Sequence, residues 1–464
     1  MHQYIKNYSD MKRLLVLTIL VLGRTLLPHV AINAQTYYNF AFAEATNNSG
    51  KGLIRAVDRA TAVSYYQKSN GDQALALISL FAPTTINEVI IDPNVQSVED
   101  LRVADNYVFF CGKKSGEGFI GCIPLVDMVT STPTVNYTSV GDESVEHFHS
   151  MVAYKHGPNV KVVAVGEYHW HDNTSSSSYG NCSVGYHLCV RRPIAEFTFS
   201  GSTGILMNLW TSDDGVRVEC ANEVIETPTH VAIICYYTDN GAITIHYCDK
   251  ANVYGTFSNF YYYSAPEEGH SFIHGCHMYD EVIALSSLST YYDAAGQQQF
   301  STKIRVIDLA TMTNIHAQQM PLYTKSEPLE LVYVPNGQFL VLLQDAVDPA
   351  TLSAHNYFTN INYSATAPYN TKCWYETARE LHYQSADMLT DSHLIATGEK
   401  GFLMQNAPAL SPSSGCYKVD SRPIIPLSKE TLHPDSFNYP NYLFTFTTTS
   451  FGTSSNEMLT NTCF

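Results

Sequence analysis

The sequence LRVADNYVFFCGKKSGEGFIGCIPLVD at residues 101–127 gives the clearest indication of the fold. Tyr107 to Cys111 is a short apolar run, Gly112 to Gly118 is polar and rich in turn residues, and Phe119 to Val126 is a second apolar run. Two β-branched and aromatic runs on either side of a turn-rich segment predict a β-hairpin. We expect Tyr107 to Cys111 to pair antiparallel with Phe119 to Ile123 within one sheet.

Both halves of this hairpin recur along the chain. Strands like its first half begin at Tyr107, Val160, Val231, Glu281, Gln338 and His393, with spacings of 53, 71, 50, 57 and 55 residues. Strands like its second half lie at Gly52 to Thr61, Gly118 to Asp127, Leu188 to Phe197, Ala242 to Ala251 and Thr302 to Thr311, with weaker copies at Thr359 to Ala367 and Gly401 to Ala409. A period of roughly 40 to 60 residues that holds several strands is typical of a β-propeller blade rather than of a sandwich.

The repeats therefore predict an all-β protein in which residues 35–464 form a single β-propeller domain. Seven blades fit the copies best, and six or eight are the alternatives. Tyr37 to Ala43 and Asn441 to Thr448 are lone strands near the two ends, and we expect them to pair and close the ring, since closure removes exposed sheet edges. The first blade is expected to begin only at Tyr37 to Ala43.

The segment before the repeats has the pattern of a targeting signal. Lys12 and Arg13 precede the apolar run Leu14 to Leu22, and small residues from Ala31 to Ala34 offer a cleavage site. Residues 1–34 are predicted to be a signal peptide, because the run is far shorter than the ~20 apolar residues of a membrane-spanning helix. The expected protein is exported to the periplasm, the cell surface or the extracellular space, with no transmembrane segment after cleavage. The repeats and this signal together resemble a secreted bacterial β-propeller protein, and no motif identifies a specific family.

Composition excludes one class of partner. The formal net charge is −17, whereas phosphate recognition needs clustered Lys and Arg, so no nucleic-acid partner is expected. The chain contains 32 Tyr and 21 Phe, which suit sheet faces that are partly buried and partly in contact with water.

Eleven cysteines in an exported chain favour disulfides. Cys111 and Cys122 lie symmetrically about a turn centre between Gly116 and Glu117, so they are expected to face each other across the hairpin, with two buried thiols as the alternative. Cys182 and Cys189 bracket a short loop and form a second candidate pair.

A histidine-rich segment offers candidate metal ligands. His147 and His149 alternate onto one strand face, as do Glu167 and His169 on the following strand. A register that places His149 opposite Glu167 and His147 opposite His169 would gather the ligand types that zinc and similar divalent cations favour. The alternative is an ordinary solvated strand end; beyond such a cation, no cofactor is expected.

The chain lacks the G-x-S-x-G, P-loop and H-E-x-x-H motifs, and this absence shapes the functional hypotheses. The favoured one is a binding or scaffold module for a protein or glycan partner, without enzyme activity. The alternative is a glycan-active hydrolase or lyase that uses Glu167, His169 and His147. Carboxylates and histidines that converge from several units in one pocket would favour the enzyme, and an aromatic rim would favour binding.

Overall fold

The computed structural model describes the strand-forming parts of the chain. The described ranges are 37–42, 52–79, 85–141, 145–171, 188–191, 193–211, 219–237, 243–251, 258–262, 269–322, 326–336, 338–347, 354–376, 383–390, 393–398, 401–406, 417–428, 432–435 and 446–461. The predicted signal peptide lies outside them and stays a prediction. The helix content of these ranges is a single 3₁₀ turn, Leu125–Val129, and no helix in them is long and apolar enough to cross a membrane.

The strands follow one another along the chain in short antiparallel meanders. The first half contains β1 (Tyr37–Phe42), β2 (Leu53–Ala56), β3 (Thr61–Gln67), β4 (Gln73–Ser79), β5 (Thr85–Ile90), β6 (Val95–Ala104), β7 (Tyr107–Lys114), β8 (Glu117–Pro124), β9 (Val135–Val140), β10 (His147–His156), β11 (Asn159–His171), β12 (Leu188–Arg191), β13 (Pro193–Ser200), β14 (Thr203–Thr211), β15 (Glu219–Glu226), β16 (His230–Tyr237), β17 (Ile243–Asp249) and β18 (Ser258–Tyr262). The second half contains β19 (Gly269–Tyr279), β20 (Val282–Tyr292), β21 (Gln298–Asp308), β22 (Thr313–Leu322), β23 (Pro328–Val334), β24 (Phe339–Val347), β25 (Ala354–Ile361), β26 (Tyr369–Glu376), β27 (Tyr383–Thr390), β28 (His393–Gly398), β29 (Gly401–Asn406), β30 (Tyr417–Pro426), β31 (Leu432–Asp435), β32 (Phe446–Phe451) and β33 (Thr453–Asn461).

Pairing groups most of these strands into four-stranded units. Seven units are present among the described residues: β2-β3-β4-β5, β6-β7-β8-β9, β10-β11-β13-β14, β15-β16-β17-β18, β19-β20-β21-β22, β23-β24-β25-β26 and β27-β28-β29-β1. The first strand of each unit contacts the first strand of the next, and β27 contacts β2, so these innermost strands form a ring. The predicted all-β propeller is confirmed, while the total number of blades in the chain stays a prediction.

Hydrophobic cores lie between successive units. One contains Phe109 and Ile120 of the second unit with Phe148 and Phe197 of the third, and another contains Ile54 of the first unit with Ile395 of the last. Every unit thus packs both of its faces against neighbours. This explains why runs such as Tyr107 to Cys111 are continuously apolar instead of alternating, because strands buried on both faces need apolar side chains on both.

The hairpin at residues 101–127 forms as expected, but its turn is centred one residue earlier than the cysteine spacing suggested, which moves the partner of each strand residue by two positions. Val108 pairs with Ile123 and Phe109 with Cys122 in one sheet, which confirms the predicted strand pairing. The turn consists of Ser115 (φ 54°) and Gly116 (φ 89°), and positive φ at both central residues is the geometry of a type I′ hairpin turn.

This register changes the outcome for the cysteines. Cys111 lies opposite Ile120, so Cys111 and Cys122 occupy diagonal positions on one face instead of facing each other. Cys122 is a buried thiol, and the Cys111 thiol donates a hydrogen bond to the Phe148 carbonyl oxygen at 3.8 Å. The expected Cys111–Cys122 disulfide is therefore wrong and the alternative of two buried thiols holds. Cys182 lies outside the described residues, so its pairing with Cys189 stays a prediction.

Three predictions about the strands near the ends of the repeat need correction. Gly52 to Thr61 is not a returning strand but contains the innermost strand β2, and the second strand of that unit is β3, which the sequence analysis missed. The strand β1 does not begin the first unit: it pairs with β29 as the outermost strand of the last one. The expected pairing of an N-terminal with a C-terminal strand is confirmed, but the C-terminal strand is β33, where Phe40 lies opposite Asn461, rather than Asn441 to Thr448.

The C-terminal residues supply edge strands to several units. Strand β30 pairs with both β22 and β26, β31 with β18, β32 with β9, and β33 with both β5 and β1. The outermost strand of a blade would otherwise present unpaired N–H and C=O groups, and these additions cover them.

Buried ion pairs reinforce individual units, and their loss is measurable. Lys161 Nζ lies 2.8 Å from Glu196 Oε1 with the carboxylate side chain fully buried, whereas Lys155 Nζ lies 2.7 Å from Asp105 Oδ1 with the lysine side chain 62% exposed. We predict that Lys161→Met lowers the free energy of unfolding by about 3–5 kcal/mol, because it leaves a buried carboxylate without its cation. Lys155→Met is the matched control and should lower the free energy of unfolding by less than ~1 kcal/mol, because water can solvate Asp105 when the exposed ammonium group is lost. Urea unfolding followed by tryptophan fluorescence measures both changes, and equal costs would contradict this account of the pairs.

Candidate functional site

A cavity of about 520 Å³ lies on the axis of the ring. All seven innermost strands line it, mostly with residues near their carboxyl ends, such as Val103, Glu226, Met278, Tyr333 and Met388. The antiparallel order places the turns between first and second strands at this end of the channel. The cavity volume is within the range of about 300–1,000 Å³ that ligand pockets occupy.

Arg55 connects its own unit to three others at the wall of this cavity. Its Nη2 lies 3.4 Å from Asp100 Oδ1, its Nη1 lies 3.4 Å from Glu330 Oε2, and Nη1 donates a hydrogen bond of 2.9 Å to Ser385 Oγ. The Ser385 hydroxyl lies 3.3 Å from the same Glu330 oxygen. Burial alone would lower the pKa of Arg55, but the carboxylates of Glu330, Asp100, Asp387 and Glu223 raise it, so the guanidinium is charged.

A second cluster continues this network across the channel. Arg102 Nη2 lies 3.0 Å from Asp100 Oδ2 and 3.6 Å from Glu223 Oε1, and the Ser150 hydroxyl donates to Glu223 Oε1 at 2.8 Å. His274 Nδ1 lies 3.5 Å from Glu223 Oε2. Residues from all seven innermost strands therefore meet in one continuous polar network, most of whose charges face an opposite charge.

The two glutamates of this network have opposite pKa shifts. Burial raises the pKa of Glu330 above its ordinary 4.5, Arg55 opposes that rise only in part, and the charge of Glu223 adds to it. Burial also acts to raise the pKa of Glu223, but the hydrogen bond and charge of His274, with Arg102 and Ser150, outweigh it and lower the value below 4.5. Glu223 is therefore held ionised, and the ionised form of Glu330 is disfavoured in the folded state.

The predicted metal ligands lie at the opposite end of the channel from the cavity. His147 begins β10, and the register places it opposite Glu167 of β11, not opposite His169 as predicted. A β-bulge between Phe148 and Ser150 leaves His149 without a residue opposite it. Gly166 permits the close approach of the two strands, because a Cβ there would lie 2.2 Å from the His147 carbonyl oxygen.

Three of the four predicted ligands come together in this arrangement. His147 Nε2 lies 3.3 Å from Glu167 Oε1, and His149 Nε2 lies 3.5 Å from Glu167 Oε2. The two imidazole rings are nearly perpendicular at 84°, with centroids 4.1 Å apart. His169 belongs to β11 and pairs with Val190 of β12, in a part of that strand whose side chains the structure does not describe.

Burial is the main reason that His147 is neutral. Its pKa is lowered to about 4, chiefly by burial and then by His149 and Lys113, against the opposing charges of Glu99 and Glu146. A neutral imidazole offers a nitrogen lone pair at neutral pH.

Sequence reasoning found these histidines but missed the channel network. The available signal was a charged residue within an otherwise apolar innermost strand, as at Arg55 and Glu330. Arg55 and Glu330 contact each other across 275 residues, and Arg102 contacts Glu223 two units away as well as Asp100 of its own strand, so the pattern within one strand does not reveal the network.

Comparison with known proteins gives two distant structural likenesses. No family model and no curated protein matches the chain. The WD40 domain of SCAP from fission yeast is 9% identical, with a TM-score of 0.39, over 80% of this chain and 98% of that chain. A prolyl endopeptidase, from a study of two such enzymes and their inter-domain dynamics, is 8% identical with a TM-score of 0.38 over 82% of this chain. This chain spans about half the length of that endopeptidase, 51%.

The opposite pKa shifts predict opposite effects of removing each glutamate. Glu223→Gln should lower the free energy of unfolding at pH 7 by about 3 kcal/mol, because Arg102 and His274 lose a buried partner. Because the pKa of Glu223 is lowered in the folded state, ionised Glu223 stabilises the protein above about pH 4.5, and this stabilisation is lost as the pH falls through the folded-state pKa. The stability difference between the wild type and Glu223→Gln should therefore shrink in acid.

Glu330→Gln should leave the protein equally stable or more stable at pH 7, because the wild-type carboxylate ionises unfavourably when folded. Because the pKa of Glu330 is raised in the folded state, its ionisation lowers the stability of the wild type as the pH rises above about 4.5. The free energies of unfolding of the wild type and Glu330→Gln should therefore converge below about pH 4.5. Urea unfolding at pH 7 and pH 4 tests both variants. A large loss at pH 7 for Glu330→Gln would contradict the assigned shift.

Proposed function

We propose that this β-propeller is a binding module that holds a segment of a partner protein at the mouth of its central cavity. The observation that carries the proposal is the axial cavity, to which every innermost strand contributes, together with the tyrosines at its rim. Closed rings of this kind present one concave surface built from many strands, and such surfaces are suited to recognition.

The rim of the cavity is aromatic on one side. Tyr333 lines the cavity, and its ring centroid lies 6.1 Å from that of Tyr279 and 6.3 Å from that of Tyr363. Tyr279 is 40% exposed, so its ring extends the cavity surface outward. Burial is the chief cause that raises the pKa of all three tyrosines, so their hydroxyls stay neutral and can donate or accept hydrogen bonds.

The composition of this surface favours a protein partner. Tyr, Met and Arg are enriched at the centres of protein interfaces, and Tyr333, Met278 and Arg102 all line the cavity. The channel carboxylates are engaged in ion pairs and backbone hydrogen bonds: Asp387 Oδ2, for example, accepts from the Ala56 amide at 2.8 Å. Carboxylates that are already paired in this way hold the side chains around the cavity in place, which supports a preformed binding surface.

The alternative, a glycan-active hydrolase or lyase acting through Glu167, His169 and His147, stays a prediction. Export and the compartment of the protein likewise remain proposals, and they would make an extracytoplasmic protein the natural partner.

Tyr279 gives the sharpest test of the binding proposal. A random-peptide phage library selected against the immobilised full chain should yield a peptide whose affinity falls at least about tenfold on Tyr279→Ser, because truncating an aromatic residue that the partner covers typically costs that much. Tyr292→Ser is the matched control: Tyr292 is 59% exposed and lies at the far end of β20, away from the cavity, so it should not matter.

Two outcomes would contradict the proposal. One is that the library yields no peptide that depends on Tyr279. The other is that the same substitution abolishes binding to a glycan array while no peptide binds, which would assign the cavity to a glycan.

A further inference from the structure

The histidine cluster at the other end of the channel is independent of the cavity and its tyrosines. Among the described residues, His147, His149 and Glu167 form the group whose ligand atoms, one from each residue, all lie within 4.8 Å of one another. We propose that these three side chains bind one divalent cation of the zinc class, with the remaining coordination position open to water or to a further ligand.

The separations between ligand atoms fit a metal better than direct hydrogen bonds. The nitrogen–oxygen distances of 3.3 Å and 3.5 Å exceed the ~2.7–3.2 Å of good N–H···O hydrogen bonds. A tetrahedral zinc ion with bonds of about 2.0–2.2 Å has ligand–ligand edges of about 3.3–3.6 Å. Each imidazole nitrogen therefore lies at coordination spacing from an oxygen of the Glu167 carboxylate, and one ligand atom from each of the three residues leaves the fourth tetrahedral position open.

The local fold fixes this geometry. His147 and Glu167 lie opposite each other on the paired strands β10 and β11, which positions two of the ligands. The backbone amide of Glu146 donates a hydrogen bond of 2.8 Å to the Glu167 carbonyl oxygen and extends this strand pairing by one residue. The bulge adds His149 from the same strand; bulges re-aim side chains in this way and are frequent next to functional sites. The three ligands thus come from one hairpin whose strands are otherwise held by buried side chains such as Phe148 and Val163.

Access and ligand chemistry select the type of cation. The side chains of His147, His149 and Glu167 are 19%, 30% and 16% exposed, so an ion can enter from solvent and keep a water. Two imidazoles with one carboxylate form a mixed nitrogen and oxygen set that zinc accepts with an open position, whereas Mg²⁺ and Ca²⁺ prefer oxygen alone. The glutamate charge offsets part of the charge of the ion.

Isothermal titration calorimetry of the chelator-treated full chain with ZnCl₂ tests the proposal. We expect one zinc per chain, no comparable heat with MgCl₂, and an affinity at least about tenfold lower in His149→Ala and in Glu167→Gln. His156→Ala is the matched control, because His156 is exposed at the other end of the same hairpin and should leave zinc affinity unchanged.

A thermal melt gives a second readout that does not depend on heats of binding. Ligand binding to the folded state raises the melting temperature, so excess zinc should stabilise the wild type and His156→Ala but not His149→Ala. Circular dichroism checks that each variant is folded. The fold should tolerate a substitution at His149 best, because His149 is the most exposed of the three ligands. Absence of zinc binding by the wild type, or equal binding by wild type and His149→Ala, would overturn the site.

Discussion

The structure depends on burying both faces of every four-stranded sheet. A sheet such as β6-β7-β8-β9 has Phe110 and Phe119 in the core that it shares with the preceding unit, and Phe109 and Ile120 in the core shared with the following one. No unit can shield both apolar faces by itself, so each requires two neighbours. A ring is the arrangement that gives every unit two neighbours, which is why closure by β1, far from β29 in sequence, matters to the whole molecule.

The same ring forces seven innermost strands to converge around one axis. Apolar side chains alone would leave the channel mouth without specificity, and the chain places a polar network there instead. Arg55 and Arg102 neutralise part of the charge of Asp100, Glu223 and Glu330, and the hydroxyls of Ser150 and Ser385 complete the contacts. Above this network lies a cavity with a tyrosine rim, and at the opposite end of the channel lies the His147 cluster. The molecule therefore has two chemically different ends.

The sequence revealed the strands better than it revealed their registers. The continuous apolar runs that begin at Tyr107, Val160, Val231, Glu281, Gln338 and His393 all form the second strands of their units, because burial on both faces gives an unmistakable pattern. Gly52 to Thr61 was misassigned because an innermost strand and a returning strand both read as an apolar run followed by Asp. The turn at Ser115-Gly116 places Ile120 instead of Cys122 opposite Cys111. The bulge at His149 is part of a register that places Glu167 instead of His169 opposite His147. The contact between Arg55 and Glu330 spans 275 residues, and only the closed ring brings the two together.

Ring closure is the central claim, and an engineered disulfide tests it most directly. In the described register Asn39 of β1 lies opposite Leu403 of β29. Asn39→Cys together with Leu403→Cys should cross-link within one chain under mild oxidation, and peptide mapping by mass spectrometry should recover the linked pair. The control variant, Asn39→Cys with Tyr442→Cys, carries its second cysteine in the C-terminal strand expected from sequence and should not cross-link within the chain. A link in the control variant, or no link in Asn39→Cys with Leu403→Cys, would contradict the closed ring described above.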